Sequence, residues 1–517
     1  MRSMTDREKI GQRLVAGFPG TKPTEEFRHL IEEYKIGNII LFKHNVESEE
    51  QLKNLCAELR KMVIDSTGIE PFITIDQEGG AVTRLPDSDI NIPGAMAVCA
   101  SGDPHNAYDM GLITAQRLRS YGINFDLAPV MDINCNPDNP VIGVRSYADT
   151  PDRVSEYGSQ MIKGLLDGGV FSSLKHFPGH GDTATDSHLG LPVIDKSYEQ
   201  LSKFELIPFI AGMKAGVPAV MTTHILFPQI EKEKIPATMS HTIMTGILRE
   251  KLGFQGMIIS DCMEMQAVAK FYGTVKGTIA AMNAGVDMVF ISQTPGLCME
   301  AAKEALERLE DGTLDREMTD SSADRIIGFK EKMLAMKPKE FGNESECRER
   351  TEDVRGESIT AVQIPDSGIP CIGDDPVFVG CHDYQTSLAA NKAVSVFDFA
   401  DEMKKRCGSG DAVVYSRNPD SSEIDRILQE IKGHSCIILG TYNGHLQKEQ
   451  MTLRDRISRE SGIPVIHCAL RNPYDLRDED PKVSAIAAWE YTQNGFDRLW
   501  DIISGSRKAV GRMPISL

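Results

Sequence analysis

Along the first two-thirds of the chain, short apolar runs alternate with longer amphipathic stretches. The runs predict strands at Arg13–Gly17, Gly37–Phe42, Phe72–Asp76, Asn124–Pro129, Ser172–His176, Ala219–His224, Met257–Asp261 and Val286–Ile291. Helix-like segments lie between and after them, at Thr24–Tyr34, Glu50–Ile64, Ala107–Tyr121, Arg153–Leu166, Tyr198–Ala215, Ser240–Leu252, Met263–Ala284 and Cys298–Leu309. Within Met263–Ala284, helical spacing puts Met265, Val268, Ala269 and Phe271 with Tyr272 on one face. Eight strand–helix repeats predict an α/β fold, a (β/α)8 TIM-like barrel with generous loops. A doubly wound open sheet is the rival; it needs a reversal of strand order that periodicity does not reveal.

A long helix is expected over Asp320–Met336, and the charged stretch that follows, beginning Lys337-Pro338-Lys339-Glu340, reads as a linker or a solvated helix. From about Thr360 a second α/β pattern begins, with strands expected at Val377–Gly380, Ala412–Tyr415, Cys436–Leu439, Pro464–Cys468 and Ala485–Trp489. The expected organisation is a catalytic barrel over 1–336, a charged linker over 337–359 and a smaller three-layer α/β/α sandwich over 360–517.

A length of 517 residues suits two domains, and 41% hydrophobic with 25% charged residues is the balance of a soluble globular protein. The formal net charge of −19 argues against nucleic acid or an anionic membrane as partner, since there is no basic excess to neutralise phosphates. Eleven cysteines without a C-x-x-C pair read as reduced thiols. The N-terminus lacks an apolar targeting core and no run is long enough to span a bilayer, so a cytoplasmic protein is expected. A homodimer is compatible with the chain, although nothing in the sequence argues for one.

Candidate chemistry gathers at the strand ends: Lys43-His44, Asp76 with Gln77-Glu78-Gly79-Gly80, Asp132, Lys175-His176, His224 and Asp261. In a closed barrel these ends converge on one mouth, where such folds work. The segment Lys175–His188 holds three histidines, two aspartates and a lysine, with Gly179 and Gly181 permitting sharp turns. Asp186 and His188 lie two apart, so on extended chain they point the same way, and the carboxylate can orient the imidazole as an acid/base dyad. His176, His180, Asp182, Asp186 and His188 are also metal-ligand types, but no H-E-x-x-H pattern supports a metal and none is expected. Asp261, after the apolar Met257–Ile259, can be a nucleophile toward a sugar carbon or simply a helix cap. Lys175, Arg84 and Arg145 can donate to sugar hydroxyls, and Asp76 can accept from two at once. No phosphate-cradling glycine motif is present, so no nucleotide cofactor is expected.

These residues resemble glycoside hydrolase family 3, in its β-N-acetylglucosaminidase branch. The resemblance is carried by Ile75-Asp76-Gln77-Glu78-Gly79-Gly80, Arg84-Leu85, the run Asn124–Asp132, Ile142–Tyr147, Lys175–Thr183, Asp186-Ser187-His188, Met221–His224, Pro236–Ser240 and Leu252–Asp261. It spans roughly residues 5–330; Arg471–Asp475 and the closing Gly511-Arg512-Met513-Pro514 extend it more weakly into the second domain. The resemblance implies that Asp261 is the nucleophile of a retaining mechanism and that His188 with Asp186 is the acid/base. It also implies that Asp76, Arg84, Arg145, Lys175 and His176 bind the sugar; His224, at the end of its strand, is a further candidate for substrate binding. Cys262 departs from the residues usual after the nucleophile. The expected activity is exo-acting release of terminal β-N-acetylglucosamine from cell-wall fragments or chito-oligosaccharides. Alternatives are a glycoside phosphorylase, a β-glucosidase of the same family, a metal-dependent hydrolase and a non-catalytic carbohydrate binder.

Overall fold

The structure, a computed structural model, describes residues 4–183, 191–382 and 397–517. Eight parallel strands form a closed barrel in chain order: β1 (Leu14–Ala16), β2 (Asn38–Leu41), β3 (Phe72–Ile75), β4 (Phe125–Asp126), β5 (Phe171–Phe177), β6 (Ala219–Thr222), β7 (Met257–Cys262) and β8 (Met288–Ile291). Pairing of β1 with β8 closes the ring, which excludes the open doubly wound sheet. The fourth strand is shorter than expected. Pro129 has no N–H to give a ladder, and the Asn124 side chain replaces strand pairing: its Oδ1 accepts from Ile73 N at 2.9 Å and its Nδ2 donates to Pro71 O at 2.9 Å.

Residues from all eight strands, among them Val15, Ile40, Phe72, Phe125, Phe171, Met221, Met257 and Met288, pack into one apolar cluster that fills the barrel. Phe72 and Phe171 open their strands, and Phe171 meets Phe329 edge-on at 6.0 Å. The helix Arg316–Leu334 therefore plugs the N-terminal end of the barrel and leaves the other end for chemistry.

Beside the plug, buried Asp287 accepts from Ser322 Oγ (2.7 Å) and Arg325 Nη1 (2.5 Å) on one oxygen, and from Ile258 N and Arg249 Nη2 (both 2.8 Å) on the other. Arg13, buried and drawn down to about 10 by desolvation, donates to the carbonyls of Met282 and Val286 and to Thr319.

The predicted helix Met263–Ala284 breaks into Gln266–Ala269 and Thr274–Ala284. Gly273, at φ +83°, turns the chain between them, and Phe271 is half exposed instead of sharing the buried face.

The second unit is a six-stranded sheet in the order β11-β10-β12-β13-β14-β9. Its strands are β9 (Thr360–Gln363), β10 (Val377–Cys381), β11 (Asp411–Tyr415), β12 (Ile437–Thr441), β13 (Val465–Ala469) and β14 (Ser484–Ala487). Only β9 runs antiparallel, on an edge. This sixth strand was not among the expected ones because Thr-Ala-Val-Gln is half polar and mostly half-buried. Residues 344–358 form an amphipathic helix that buries Cys347, Thr351, Val354 and Arg355.

The chain segments leaving the C-terminal ends of β12, β13 and β14 face the loops leaving β3 and β4. Tyr474 OH accepts from Asn134 Nδ2 at 2.9 Å, His445 Nε2 lies 3.1 Å from Pro137 O, and Glu490 Oε1 accepts from Gly94 N at 2.8 Å. Met96, Ala97, Ala100 and Val144 pack there against Ala469, Tyr474, Leu476 and Trp489.

Replacing Asp287 tests the plug. Its loss leaves two part-buried arginines, the buried Ser322 hydroxyl and a strand N–H without their acceptor, so Asp287→Ala should lower the unfolding free energy by about 3 kcal/mol in urea denaturation. Unchanged stability would show that the network does not bind the plug to the barrel.

Candidate active site

The open end of the barrel is built around buried charges that neutralise one another. Asp76 and Glu78 follow β3, Lys175 lies in β5, and Arg145 closes the short helical turn Gly143–Arg145. Lys175 Nζ is 2.8 Å from Asp76 Oδ1 and 2.6 Å from Glu78 Oε1. Arg145 grips Glu78 through two parallel bonds of 2.8 Å, from Nε and Nη2. Burial alone would raise the Glu78 carboxyl, but Arg145 and Lys175 outweigh it and hold the group far below the usual carboxylate range. Burial likewise pulls at the Lys175 ammonium, yet Asp76 and Glu78 raise it above its ordinary value. Arg84 is buried beside the same two carboxylates; desolvation lowers it and the acids oppose that shift. Fixed donors and acceptors of this kind suit a hydroxyl-rich ligand, because most of the charge is already paired within the cluster and its polar atoms are held in place.

A second group hangs on Asp132, which follows β4 and is buried. Its carboxylate accepts from His176 Nδ1 at 2.7 Å, from His176 N at 3.2 Å and from His180 N at 2.7 Å. Burial raises this carboxyl, and the two histidines outweigh it and lower it. His180 is pushed down to about 4 by burial and the neighbouring His176, so at neutral pH its ring is uncharged.

Beyond it the chain is seated on the β4 loop. Asn139 Nδ2 lies within 2.9 Å of His180 O, 3.1 Å of Gly181 O and 3.2 Å of Thr183 Oγ1. A Cβ on Gly181 would stand 1.7 Å from Ile133 O, so only glycine fits there.

Asp261 lies within β7, at the same end of the barrel, and is half-buried. The next helix starts at Gln266 with Met265 as its cap, so Asp261 does not cap it. Its Oδ1 accepts from Cys262 N at 2.7 Å. His224 is buried, with Nδ1 at 2.9 Å from Thr238 Oγ1 and Nε2 at 3.0 Å from Cys262 O. Those contacts make it a brace for the strand end that carries Asp261. Burial pushes the Cys262 thiol up to about 12, which keeps it protonated and unreactive. Asp186 and His188 lie outside the described residues.

Among the described residues, Asp76, Glu78, Arg84, Arg145 and Lys175 form one cluster, while His176 belongs to the Asp132 group. Three contributors carry little or no signal of their role in the sequence. Glu78 was visible only as part of a strand-end motif, and Asp132 only as one of several acids in phase. Asn139 had no signal at all. His176 and His180 are engaged with Asp132 and Thr183 and do not converge with Asp182 on a metal position. The described grouping with ligand spacing is Cys135, Asp182 and Glu205, and Lys196 Nζ already sits 2.6 Å from both carboxylates.

Two outcomes follow from this geometry. His180 has a folded value of about 4 against an ordinary 6.5, so the unfolded chain binds more protons between those limits. Stability should fall by about 3 kcal/mol as pH drops through that window. His180→Asn should flatten the slope measured by urea unfolding, and an unchanged slope would contradict a buried neutral ring. Gly181→Ala should cost about 1–3 kcal/mol in the same assay, with no cost if the chain shifts freely from Ile133.

The chain has relatives among known proteins. It is 30% identical to Beta-hexosaminidase A of Pseudoalteromonas piscicida, over 99% of this chain and 97% of that protein. A Beta-hexosaminidase of Alkalilimnicola ehrlichii is 34% identical over 58% of this chain and 84% of its own length. The solved glycoside hydrolase family 3 β-N-acetylglucosaminidase from Paenibacillus sp. str. FPU-7 superposes with a TM-score of 0.90 at 33% identity, covering 100% of this chain and 99% of that one. Residues 5–329 match the glycosyl hydrolase family 3 N-terminal domain. With a closed barrel, a charged mouth at its C-terminal end and a second α/β unit against it, the chain belongs to glycoside hydrolase family 3 and is a glycoside hydrolase.

Proposed function

We propose that the protein is an exo-acting, retaining β-N-acetylglucosaminidase that removes terminal N-acetylglucosamine from cell-wall fragments or chito-oligosaccharides. The observation that carries this reading is full-length similarity to the Paenibacillus β-N-acetylglucosaminidase, together with a mouth lined by Asp76, Lys175, Glu78, Arg145 and Arg84. In this mechanism Asp76 and the cations orient the sugar by its hydroxyls and acetamido carbonyl. Asp261 attacks the anomeric carbon and forms a glycosyl ester while the bond to the leaving oxygen breaks. His188, oriented by Asp186, protonates that oxygen as it departs. The same imidazole then takes a proton from water, whose oxygen displaces Asp261 and restores the original anomeric configuration. A neutral imidazole, unlike a carboxylate, does not repel an anionic acceptor; the assay therefore includes phosphate.

Asp261→Asn should lower kcat/KM by about a thousandfold or more, about 4 kcal/mol of transition-state stabilisation. A slow 2-fluoro substrate should label Asp261 in peptide mass spectrometry; label on another residue would overturn the assignment. His188→Ala should cost about 100-fold or more on chitobiose and far less on an activated aryl glycoside, and equal damage would count against it as the acid. In phosphate buffer the product should remain free N-acetylglucosamine; accumulation of the 1-phosphate would make the enzyme a phosphorylase.

A further inference from the structure

Among the contacts between the second unit and the barrel, one imidazole reaches the β4 loop. His445 follows β12, and its Nδ1 lies 3.0 Å from Oδ1 of Asp475, an acid with no exposed surface that also accepts from His445 N at 2.8 Å and from Thr441 Oγ1 at 2.7 Å. The carboxylate fixes the ring and aims Nε2 at the carbonyl of Pro137, 3.1 Å away in the β4 loop. Its two ring nitrogens thus face a carboxylate oxygen on one side and a carbonyl on the other. Thr441 is in turn met by His467 Nε2 at 3.0 Å, so the donor stands on a buried chain of hydrogen bonds inside the second unit.

Pro137 belongs to a tight turn: Asn139 N donates to Asn136 O at 3.1 Å, and Asp138 N to Asn136 Oδ1 at 3.0 Å. Two residues past Pro137, the Asn139 amide spans His180 O, Gly181 O and Thr183 Oγ1, while its oxygen accepts from Val141 N and Ile142 N, both at 2.8 Å. In sequence, Asp186 and His188 come three and five residues after Thr183.

We propose that His445 and Asn139 are positioning residues for the acid/base. The second unit, through His445 and the Pro137 carbonyl, holds the 136–139 turn, and Asn139 in that turn holds the stem His180–Thr183 from which Asp186 and His188 depart. The inference rests on the reading of His188 as the general acid. Misplacing a proton donor hurts most where the leaving group needs the proton, which separates positioning from a general loss of structure.

The test compares kcat/KM of the full-length enzyme on N,N′-diacetylchitobiose and on an activated aryl 2-acetamido-β-glucoside. His445→Ala and Asn139→Ala should each lose about tenfold more on chitobiose than on the aryl substrate. His445→Gln, whose Nε2 can reach the same carbonyl, should recover most of that difference. Equal losses on the two substrates, no loss, or a Gln variant no better than Ala would overturn the proposal. Should His445→Ala fail to fold, Asn139→Ala, which leaves the second unit intact, decides by the same comparison. His188→Ala serves as the reference. If it discriminates between leaving groups and the positioning variants do not, this inference falls and the acid/base reading stands. If His188→Ala does not discriminate, the acid/base reading falls and takes the inference with it.

Discussion

Glu78 shares its two oxygens between the Lys175 ammonium and a two-bond grip from Arg145, and the mouth of the barrel is organised around that sharing. The three side chains come from the loop after β3, from β5 and from the turn after β4, so one carboxylate fixes the spacing of three separate walls. Taking such charges out of water costs several kcal/mol each, and only close pairing offsets it. Asp76 supplies the second acid that Lys175 needs, and Arg84 stands beside both. The pairing leaves rigid donors and acceptors that do not have to reorganise when a polar ligand arrives, which is the condition for electrostatic preorganisation.

The barrel supports this cluster from below and the second unit from the side. Apolar side chains from all eight strands, closed by Phe329 and Met333, keep water out of the interior and give the strand ends fixed positions. On the other flank, Gly143 has φ +46°, and a Cβ there would lie 2.6 Å from Asn472 Oδ1 of the second unit. The turn that presents Arg145 is thus packed directly against the segment Arg471–Asp475. In open α/β sheets the C-terminal strand edge is commonly a ligand crevice. Here that edge of the second sheet is occupied by the barrel, through His445, Tyr474 and Glu490.

Much of this is legible in the sequence itself. The eight apolar runs became eight barrel strands because a parallel strand buried on both faces must be apolar, and the acids and bases at their ends fell in one phase because they share one mouth. What periodicity missed has physical causes. The split of Met263–Ala284 depends on one glycine at positive φ, and β9 is a polar edge strand whose pairing is decided by a distant partner. Glu78 and Asp132 could be seen as strand-end acids, but their partners come from 67 and 44 residues away, a separation that local patterning does not encode. Asn139 and His445 are harder still, since an amide in a turn and a histidine after a strand gain meaning only when two units meet. His224 was read as a ligand contact from its place at a strand end, whereas both its ring nitrogens are engaged within the protein.

The central claim is that a carboxylate at the end of β7, and then a water deprotonated by an imidazole from the segment after β5, attack the same anomeric carbon in turn, so that two inversions leave its configuration as it began. Proton NMR of the first product formed from a β-linked 2-acetamido glycoside, read before mutarotation, tests that claim most directly. The account predicts that the β-anomer of N-acetylglucosamine appears first and the α-anomer only later. Initial release of the α-anomer would mean that water attacks in a single displacement, and the glycosyl-enzyme assigned to Asp261 would not exist.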